Sequence, residues 1–272
     1  MAIAAPPVSD GSVLVRGADV TPNAARQWWT LSARAMRKVV VSGEIVFAFV
    51  SPAFLAVCFY LPLRSVMDAP GMDYAQFLTP IILLQSVAFT ASAAAARSSI
   101  DRTTGITARF QSLPMHSLVP PAARFTANLL MLAVSLVCGV AVVLLIGWRP
   151  HGGVTGTVAL LALAAAIGAL AFTIGDALGI LAPSPQATSQ ILTLPILILG
   201  MVSTGFVPAE RFPAWIRGFA EHQPISVWAE AMREFDSAGS ATRAGAAVAW
   251  VAGLAVLAAA LTFFAARKGR RR

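Results

Sequence analysis

Six long stretches without a single charged side chain constrain this sequence more than any other feature. They are residues 45–63, 77–96, 125–147, 154–175, 187–207 and 244–266. An α-helix needs about 20 apolar residues to cross the hydrocarbon core of a bilayer, which is about 30 Å thick. Only 12% of the residues are charged, about half the fraction found in soluble domains. The sequence therefore predicts an all-α integral membrane protein with six transmembrane helices.

The uneven distribution of Lys and Arg predicts the orientation of these helices. With a cytoplasmic N-terminus, the inner segments hold five before the first stretch, four in residues 97–124 and five at the C-terminus, against six in the outer segments. Cytoplasmic segments carry the excess of positive charge in membrane proteins. We therefore expect a multi-pass protein of a bacterial plasma membrane with both termini in the cytoplasm. The net charge of +8 follows from this topology, and no basic stripe with interleaved aromatic residues indicates nucleic-acid binding.

The segment before the first stretch divides into two parts. Residues 1–23 are rich in Ala, Pro, Gly, Ser and Asp, which predicts a disordered cytoplasmic tail. Residues 24–43 place four apolar side chains at about helical spacing, namely Trp28, Leu31, Ala35 and Val39. This pattern favours an amphipathic helix in the membrane interface, and the alternative is an ordinary basic juxtamembrane segment. Residues 267–272 are predicted to be a basic cytoplasmic tail.

The polar segment of residues 97–124, between the second and third stretches, contains a candidate docking helix bracketed by Gly105 and Pro114. An apolar ridge at i, i+4 and i+7 is formed by Ile106, Phe110 and Leu113. Arg102 and Arg109 can pair with acidic groups of a partner, while the ridge packs against it. The alternative is that the arginines only enforce topology and contact lipid phosphate.

Residues 208–236, between the fifth and sixth stretches, resemble neither a span nor an ordinary polar loop. Pro213 and Pro224 each suit the first turn of a short helix. Two apolar sets recur at helical spacing: Phe212, Trp215, Ile216 and Phe219, followed by Ile225, Trp228 and Met232. We predict two short helices that dip into the outer leaflet as a re-entrant cap or gate. The alternative is an interfacial loop that lies flat on the membrane.

Glu44 and Asp176, at predicted cytoplasmic helix ends, are the candidates for charge inside the membrane. For Glu44 the simpler interpretation is a helix N-terminal charge or a pair with a nearby Arg or Lys. Glycines near Asp176 lie almost on one face of the fourth span: Gly168, Gly175 and Gly179. Close helix packing explains this spacing, and a substrate path that includes Asp176 is the alternative.

The sequence carries no motif for chemistry of its own. It contains neither G-x-x-x-x-G-K-[ST] nor G-x-G-x-x-G after a strand, the patterns that hold nucleotide phosphates. No span has paired acids near its middle, as a proton relay would. The three histidines are scattered without metal-ligand spacing. We therefore predict no catalytic residue and no cofactor or metal site in this protein.

Several motifs resemble those of ABC-2-type exporter permeases. DRTTG (residues 101–105) and RFQSLPM (residues 109–115) are similar to that family's loop before the third span. The order LPILI, TGFVP, FPAWI, HQPIS and AMR, within residues 194–233, resembles the daunorubicin/doxorubicin-resistance permeases. SLVCG (residues 135–139) is similar to the mycobacterial branch that exports the wall lipid phthiocerol dimycocerosate. The resemblance makes residues 44–266 an ABC-2-type transmembrane domain.

The resemblance implies that transport is divided between several proteins. Two permease subunits, identical or paralogous, pair among the membrane lipids, and two separate ATPase subunits carry ATP and Mg²⁺, so that this protein is not an enzyme by itself. The segment after the second span is then a coupling helix, and its ATPase-coupling residues are Asp101, Arg102, Gly105, Ile106, Arg109, Phe110 and Leu113. ATP would drive a lipid-like or amphipathic drug-like substrate outward, giving lipid export or multidrug efflux and antibiotic resistance. The alternatives are an ion-coupled secondary carrier and a non-transporting membrane scaffold or immunity protein.

Overall fold

The computed structural model describes residues 23–41, 43–67, 73–106, 116, 119–237 and 241–270, except for the side chains of residues 65–67 and 269–270. Within these ranges the secondary structure is entirely helical. The elements are α1 (Ala24–Val41), α2 (Glu44–Leu55), a π-helical turn (Ala56–Tyr60), α3 (Leu61–Met67), α4 (Tyr74–Thr103), α5 (Val119–Leu145), α6 (Gly153–Leu181), α7 (Pro185–Met201), a 3₁₀ turn (Ala209–Arg211), α8 (Ala214–His222), α9 (Pro224–Asp236) and α10 (Ala244–Arg270).

Helix α4 is the central element, and it packs against α2, α5, α6, α7 and α9. It begins at an N-cap, because the Asp73 side chain accepts a hydrogen bond from the Ala75 backbone nitrogen at 2.9 Å. Its most apolar 18 residues are 78% buried, against 11% for those of α10. An apolar helix buried on nearly every side forms the core of a bundle. The other long helices therefore surround α4.

Five helical segments in the described ranges are long and apolar enough to cross a membrane. They are Glu44–Arg64, Tyr74–Thr103, Val119–Leu145, Gly153–Leu181 and Ala244–Lys268. Large apolar side chains on these segments point away from the protein, among them Val46, Phe54, Val137, Val256 and Phe264. Apolar surface of this extent is covered by lipid or by other protein instead of water. The predicted class, an all-α membrane protein, is confirmed.

The fifth predicted span, residues 187–207, is helical only in part. Helix α7 has 17 residues, and residues 202–207 form turns instead of continuing it. The turn is bound to α9, where Ser226 Oγ accepts a hydrogen bond from the Thr204 backbone nitrogen at 3.0 Å. Hydropathy placed the end of this span too late, because the apolar run continues past the residue where α9 redirects the backbone.

The second and third spans extend into the polar segment between them. Helix α4 continues to Thr103 and α5 begins at Val119, so Asp101, Arg102 and Arg124 lie on helix ends and not in a loop. Gly105 follows with φ of 73°, a conformation that favours glycine. The predicted coupling residues Arg109, Phe110 and Leu113 lie outside the described residues. The coupling helix therefore stays a prediction.

Helices also occur at three other predicted positions. Helix α1 falls within residues 24–43, and α8 and α9 fall within residues 208–236. Helix α9 begins with Pro224, and Pro213 immediately precedes α8. How these helices sit relative to the membrane, in its interface or re-entrant, stays a prediction.

Candidate functional site

Charged side chains from five helices meet at the end of the molecule where α1 lies. Helix α2 contributes its first residue, α4 contributes residues from its last two turns, and α1, α5 and α6 contribute one residue each. We call this set the charge cluster; its members are Lys38, Glu44, Arg97, Asp101, Arg124 and Asp176. The charge cluster joins helices that are distant in sequence, so movement of one of these helices would shift the others.

Glu44 and Arg97 form the most enclosed ion pair of the charge cluster. Their side chains are 17% and 16% exposed, respectively. Arg97 Nη2 also donates a hydrogen bond to Asn128 Oδ1 at 3.3 Å. The three residues tie α2, α4 and α5 together. Pairing with a nearby basic residue was the simpler interpretation of Glu44, and the structure confirms it.

Two further ion pairs complete the charge cluster. Arg124 Nε lies 3.1 Å from Asp176 Oδ2, which joins α5 to α6. Lys38 Nζ lies 2.9 Å from Asp101 Oδ1, which joins α1 to α4. Because the Lys38 side chain is 52% exposed, this second pair contributes at most about 1 kcal/mol. The Lys38–Asp101 pair instead fixes the position of α1 against the end of α4.

The glycines of α6 lie where that helix approaches its neighbours most closely. A Cβ atom added at Gly179 would stand 2.7 Å from the Ala95 carbonyl oxygen of α4, and one at Gly168 would stand 2.4 Å from Leu132 Cδ1 of α5. Gly175 meets the α4 backbone at 3.1 Å in the same way. The contact of Gly179 with the α4 backbone leaves no room for a Cβ atom, and the other two allow the close approach seen in membrane helix pairs. The alternative role for Asp176 and these glycines, in a substrate path, stays a prediction.

A groove lies beside the charge cluster, between α1, the end of α4 and the start of α5. Its volume is about 90 Å³. Apolar residues form most of its lining, and three basic residues and one acid complete it: Leu31, Ala35, Ile106, Pro120 and Ala123, with Arg34, Lys38, Arg124 and Asp101. Ile106, the first residue of the predicted ridge, thus lies close to α1. The groove is therefore lined by two of the predicted coupling residues, Asp101 and Ile106.

Arg102, another predicted coupling residue, is turned towards α6. One terminal nitrogen of its guanidinium donates to the carbonyl oxygen of Ala182, directly after the α6 C-terminus. Lys268 of α10 donates to the neighbouring Leu181 carbonyl at 3.1 Å. Carbonyls at a helix end lack intrahelical partners and carry partial negative charge. The two basic side chains therefore satisfy the end of α6.

A second polar network lies at the opposite end of the molecule and surrounds Arg233 of α9. Its guanidinium donates to the carbonyl oxygens of Phe77, Thr204 and Gly205, each at 3.0 Å. It also lies 3.7 Å from the centroid of the Phe77 ring, a cation–π contact. Through these contacts Arg233 joins α9 to α4 and to the turn after α7.

The two helices of the predicted cap differ in their packing. The α9 residues Trp228 and Met232 are buried in the core, with Ile225 packed against it. On α8, by contrast, Trp215 and Phe219 are 82% and 57% exposed, and Phe212 and Ile216 are intermediate. The structure therefore brings the α9 set together within the bundle and leaves much of the α8 set on the surface. A gating role for either set stays a prediction.

The sequence did not identify Arg233 or Asp236 as structural residues. Trp148 Nε1, just after α5, donates to Asp236 Oδ2 at 2.9 Å in a buried contact. A signal for Asp236 was present, because Trp228, Met232 and Asp236 recur at four-residue spacing on one helix face. An acid that continues an apolar stripe needs a buried partner. No comparable signal indicated which carbonyls Arg233 would meet.

The fold and its exposed apolar surface define a helical, multi-pass membrane protein. Residues 26–235 match the model of the ABC-2 type transporter family, and the protein belongs to that family. It is 34% identical over 241 residues to the doxorubicin resistance ABC transporter permease protein DrrB of Mycobacterium tuberculosis, covering 83% of this chain and 80% of that protein. The predicted function at this level, the permease subunit of an ABC transporter, is confirmed.

Two other relatives extend this comparison. The daunorubicin resistance ABC transporter permease protein DrrB1 of Streptomyces coeruleorubidus is 29% identical over 165 residues, which cover 60% of this chain and 57% of that protein. The probable doxorubicin resistance ABC transporter permease protein DrrC of Mycobacterium tuberculosis is 26% identical over 222 residues, covering 79% of this chain and 78% of that protein. The predicted likeness to daunorubicin/doxorubicin-resistance permeases is thereby confirmed.

Proposed function

We propose that this protein is the membrane subunit of an ATP-driven exporter, which moves an amphipathic drug-like or lipid-like molecule outward across a bacterial plasma membrane. The observation that carries the proposal is the similarity to a doxorubicin resistance permease over 83% of the chain. Because the sequence holds no nucleotide-binding motif, separate ATPase subunits, two per complex, bind ATP and Mg²⁺. The low charge of the spans suits an apolar cargo, and the wall lipid phthiocerol dimycocerosate is a second candidate beside drugs.

The proposed topology has six spans, with α7 as the fifth in order. Its 17 residues extend about 26 Å at 1.5 Å per residue, close to the hydrocarbon thickness of about 30 Å. The turn that follows α7, together with helix α9, completes the crossing as part of a re-entrant cap. An even number of spans places both termini on one side, and the distribution of Lys and Arg favours the cytoplasm. Helix α1 then lies in the cytoplasmic interface.

A second permease subunit completes the proposed transporter. Two different Mycobacterium tuberculosis permeases, DrrB and DrrC, are similar to this protein over most of its length, which supports pairing of paralogous subunits. Helices α2 and α10 expose the most apolar surface among the candidate spans, their apolar windows being 28% and 11% buried. These faces contact either lipid or the second subunit.

The proposed ATPase contact is the segment that follows α4. Its described beginning is Gly105 and Ile106, and Ile106 lines the groove together with Lys38 and Asp101, which form an ion pair. A push on this segment reaches α4 directly, and the charge cluster carries it to α1, α2, α5 and α6. A coupling element must be attached firmly to the helix bundle, because its displacement has to move the helices that surround the substrate.

Two substitutions test this contact. We expect Arg109→Glu and Phe110→Asp each to abolish export and to reduce co-purification with the cognate ATPase at least tenfold. Each would place a negative charge at a surface that is predicted to bind the ATPase by apolar and ion-pair contacts. A tenfold loss corresponds to about 1.4 kcal/mol of binding free energy. Membrane insertion should be unchanged. The measurement is quantitative pull-down of the tagged full-length protein in detergent, followed by efflux of doxorubicin from cells.

Arg211→Glu is the matched control, because Arg211 is exposed and belongs to the connection before α8 and not to the segment after α4. It should retain both export and the ATPase. If the amount of ATPase recovered with Arg109→Glu and Phe110→Asp is unchanged, the proposed contact surface is wrong. Transport that persists without ATP and collapses with an uncoupler would instead overturn the ATP-driven mechanism.

A further inference from the structure

The groove between α1, α4 and α5 has two chemically distinct parts. Its apolar part, which we call the floor, is formed by Leu31 and Ala35 on α1, Pro120 and Ala123 on α5, and Ile106 after α4. Its charged part carries three basic side chains and one carboxylate. We call this charged part the rim; it is formed by Arg34, Lys38, Arg124 and Asp101. An apolar floor beside a positively charged rim matches a molecule with an acyl chain and an anionic headgroup.

The basic side chains of the groove are not all neutralised. Asp101 pairs with Lys38, whose side chain remains 52% exposed. Arg124 pairs with Asp176 through Nε, one of its three guanidinium nitrogens. Arg34 is exposed and forms no ion pair with any residue that the structure describes. The rim therefore has positive charge available for an additional anion.

In the proposed topology the groove lies at the level of the lipid headgroups, and two tryptophans of α1 support this position. Trp28 Nε1 donates to Thr126 Oγ1 at 3.2 Å and holds α1 against α5, while Trp29 is 65% exposed. Tryptophan is enriched at the boundary between hydrocarbon and headgroups. Val41 at the C-terminus of α1 and Phe125, next to Thr126 on α5, are 79% and 46% exposed, as expected for surface covered by acyl chains.

We propose that this groove binds an anionic phospholipid, with its phosphate at Arg34 and Lys38 and part of an acyl chain on the apolar floor. The bound lipid would fill the space between α1 and the beginning of the predicted coupling segment at Ile106, and so stabilise the position of α1. Binding does not depend on the exporter function, because it requires only the membrane location and the groove. A protein surface is less suited to this site, since a lipid supplies both phosphate and acyl chain.

The experiment compares two lipids with identical acyl chains. The purified full-length protein in detergent is titrated with phosphatidylglycerol or phosphatidylcholine, and bound lipid is counted by native mass spectrometry. We expect one phosphatidylglycerol to bind more tightly than phosphatidylcholine. Arg34→Gln should weaken phosphatidylglycerol binding about fivefold, the effect expected for one basic residue at a lipid surface. Ala35→Phe, which fills the floor without changing charge, should weaken binding of both lipids.

Arg37→Gln is the matched control, because Arg37 is an exposed basic residue of α1 that does not line the groove. It should leave binding unchanged. An equal loss with Arg34→Gln and Arg37→Gln would overturn the proposal and show unspecific attraction to α1. Unchanged lipid binding by Arg34→Gln or by Ala35→Phe would also overturn it. Loss of the ATPase with retained phosphatidylglycerol binding in Arg34→Gln would assign the rim to a protein partner instead.

Discussion

Arg233→Met is expected to destabilise the folded protein by about 3 kcal/mol or more, since an unsatisfied buried polar group costs about 1–3 kcal/mol. Methionine keeps an unbranched apolar stem but has no donor, so the carbonyls of Phe77, Thr204 and Gly205 lose the hydrogen bonds they accept from Arg233. Thr204 and Gly205 are buried, and the substitution offers them no replacement. We therefore expect α9 and the turn after α7 to separate from α4.

The free energy of unfolding, measured by denaturant titration in detergent, checks this expectation. Arg233→Lys keeps the charge but lacks the planar fork that reaches several carbonyls at once, and its effect should fall between those of methionine and the wild type. Arg211→Met, at an exposed arginine of the same connection, should be nearly neutral. Equal stability of Arg233→Met and Arg211→Met would show that the Arg233 network does not hold α9 in place.

Five of the six predicted spans coincide with helices long and apolar enough to cross a membrane, and they could be predicted because each is a long run without charge. In lipid every backbone polar group must be satisfied within the segment, so such a run has few alternatives to a helix. The ends of the runs were less predictable. At residues 202–207, apolar side chains continue while the backbone bonds to Ser226 and Arg233. Tertiary contacts, not hydropathy, end α7.

The charge cluster was predictable only in part. A pair between Glu44 and a basic residue was one of two simple interpretations, but the predicted inner segments hold fourteen Lys and Arg residues that could have supplied the partner. The choice of Arg97 follows from the lengths of α2 and α4 and from the packing of α5, which also brings Asn128 to the pair. Local sequence does not encode that register. Packing of distant helices decides it.

The groove between α1 and α5 could not be predicted from the sequence. Periodicity on α1 identified Leu31 and Ala35 as apolar and Arg34 as lying off that line. It could not show that Pro120 and Ala123 of α5 would face them. Small residues on α5 leave space there, and a groove arises from the fit between two helices instead of from either one alone.

Reversal of one charge in the Glu44–Arg97 pair is expected to cost about 3 kcal/mol of stability, the effect of leaving a buried charge without its partner. In Glu44→Arg, two guanidinium groups would face each other in surroundings where the native side chains are only 16% and 17% exposed. The corresponding exposed pair provides the contrast. Lys38→Glu, opposite Asp101, should cost about 1 kcal/mol or less because solvent screens these charges.

The combined exchange Glu44→Arg with Arg97→Glu is expected to recover part of the stability lost in either single variant. The Asn128 amide can accept from a guanidinium or donate to a carboxylate, so this contact tolerates the exchange. Recovery should be incomplete, since Asp101 and Asp176 act electrostatically on Arg97 and would repel a carboxylate there. Unfolding free energies and ATPase co-purification of all four proteins form a double-mutant cycle. Additive losses would show that Glu44 and Arg97 act independently, whereas recovery of stability together with ATPase binding would assign the pair to the path by which α4 moves α2.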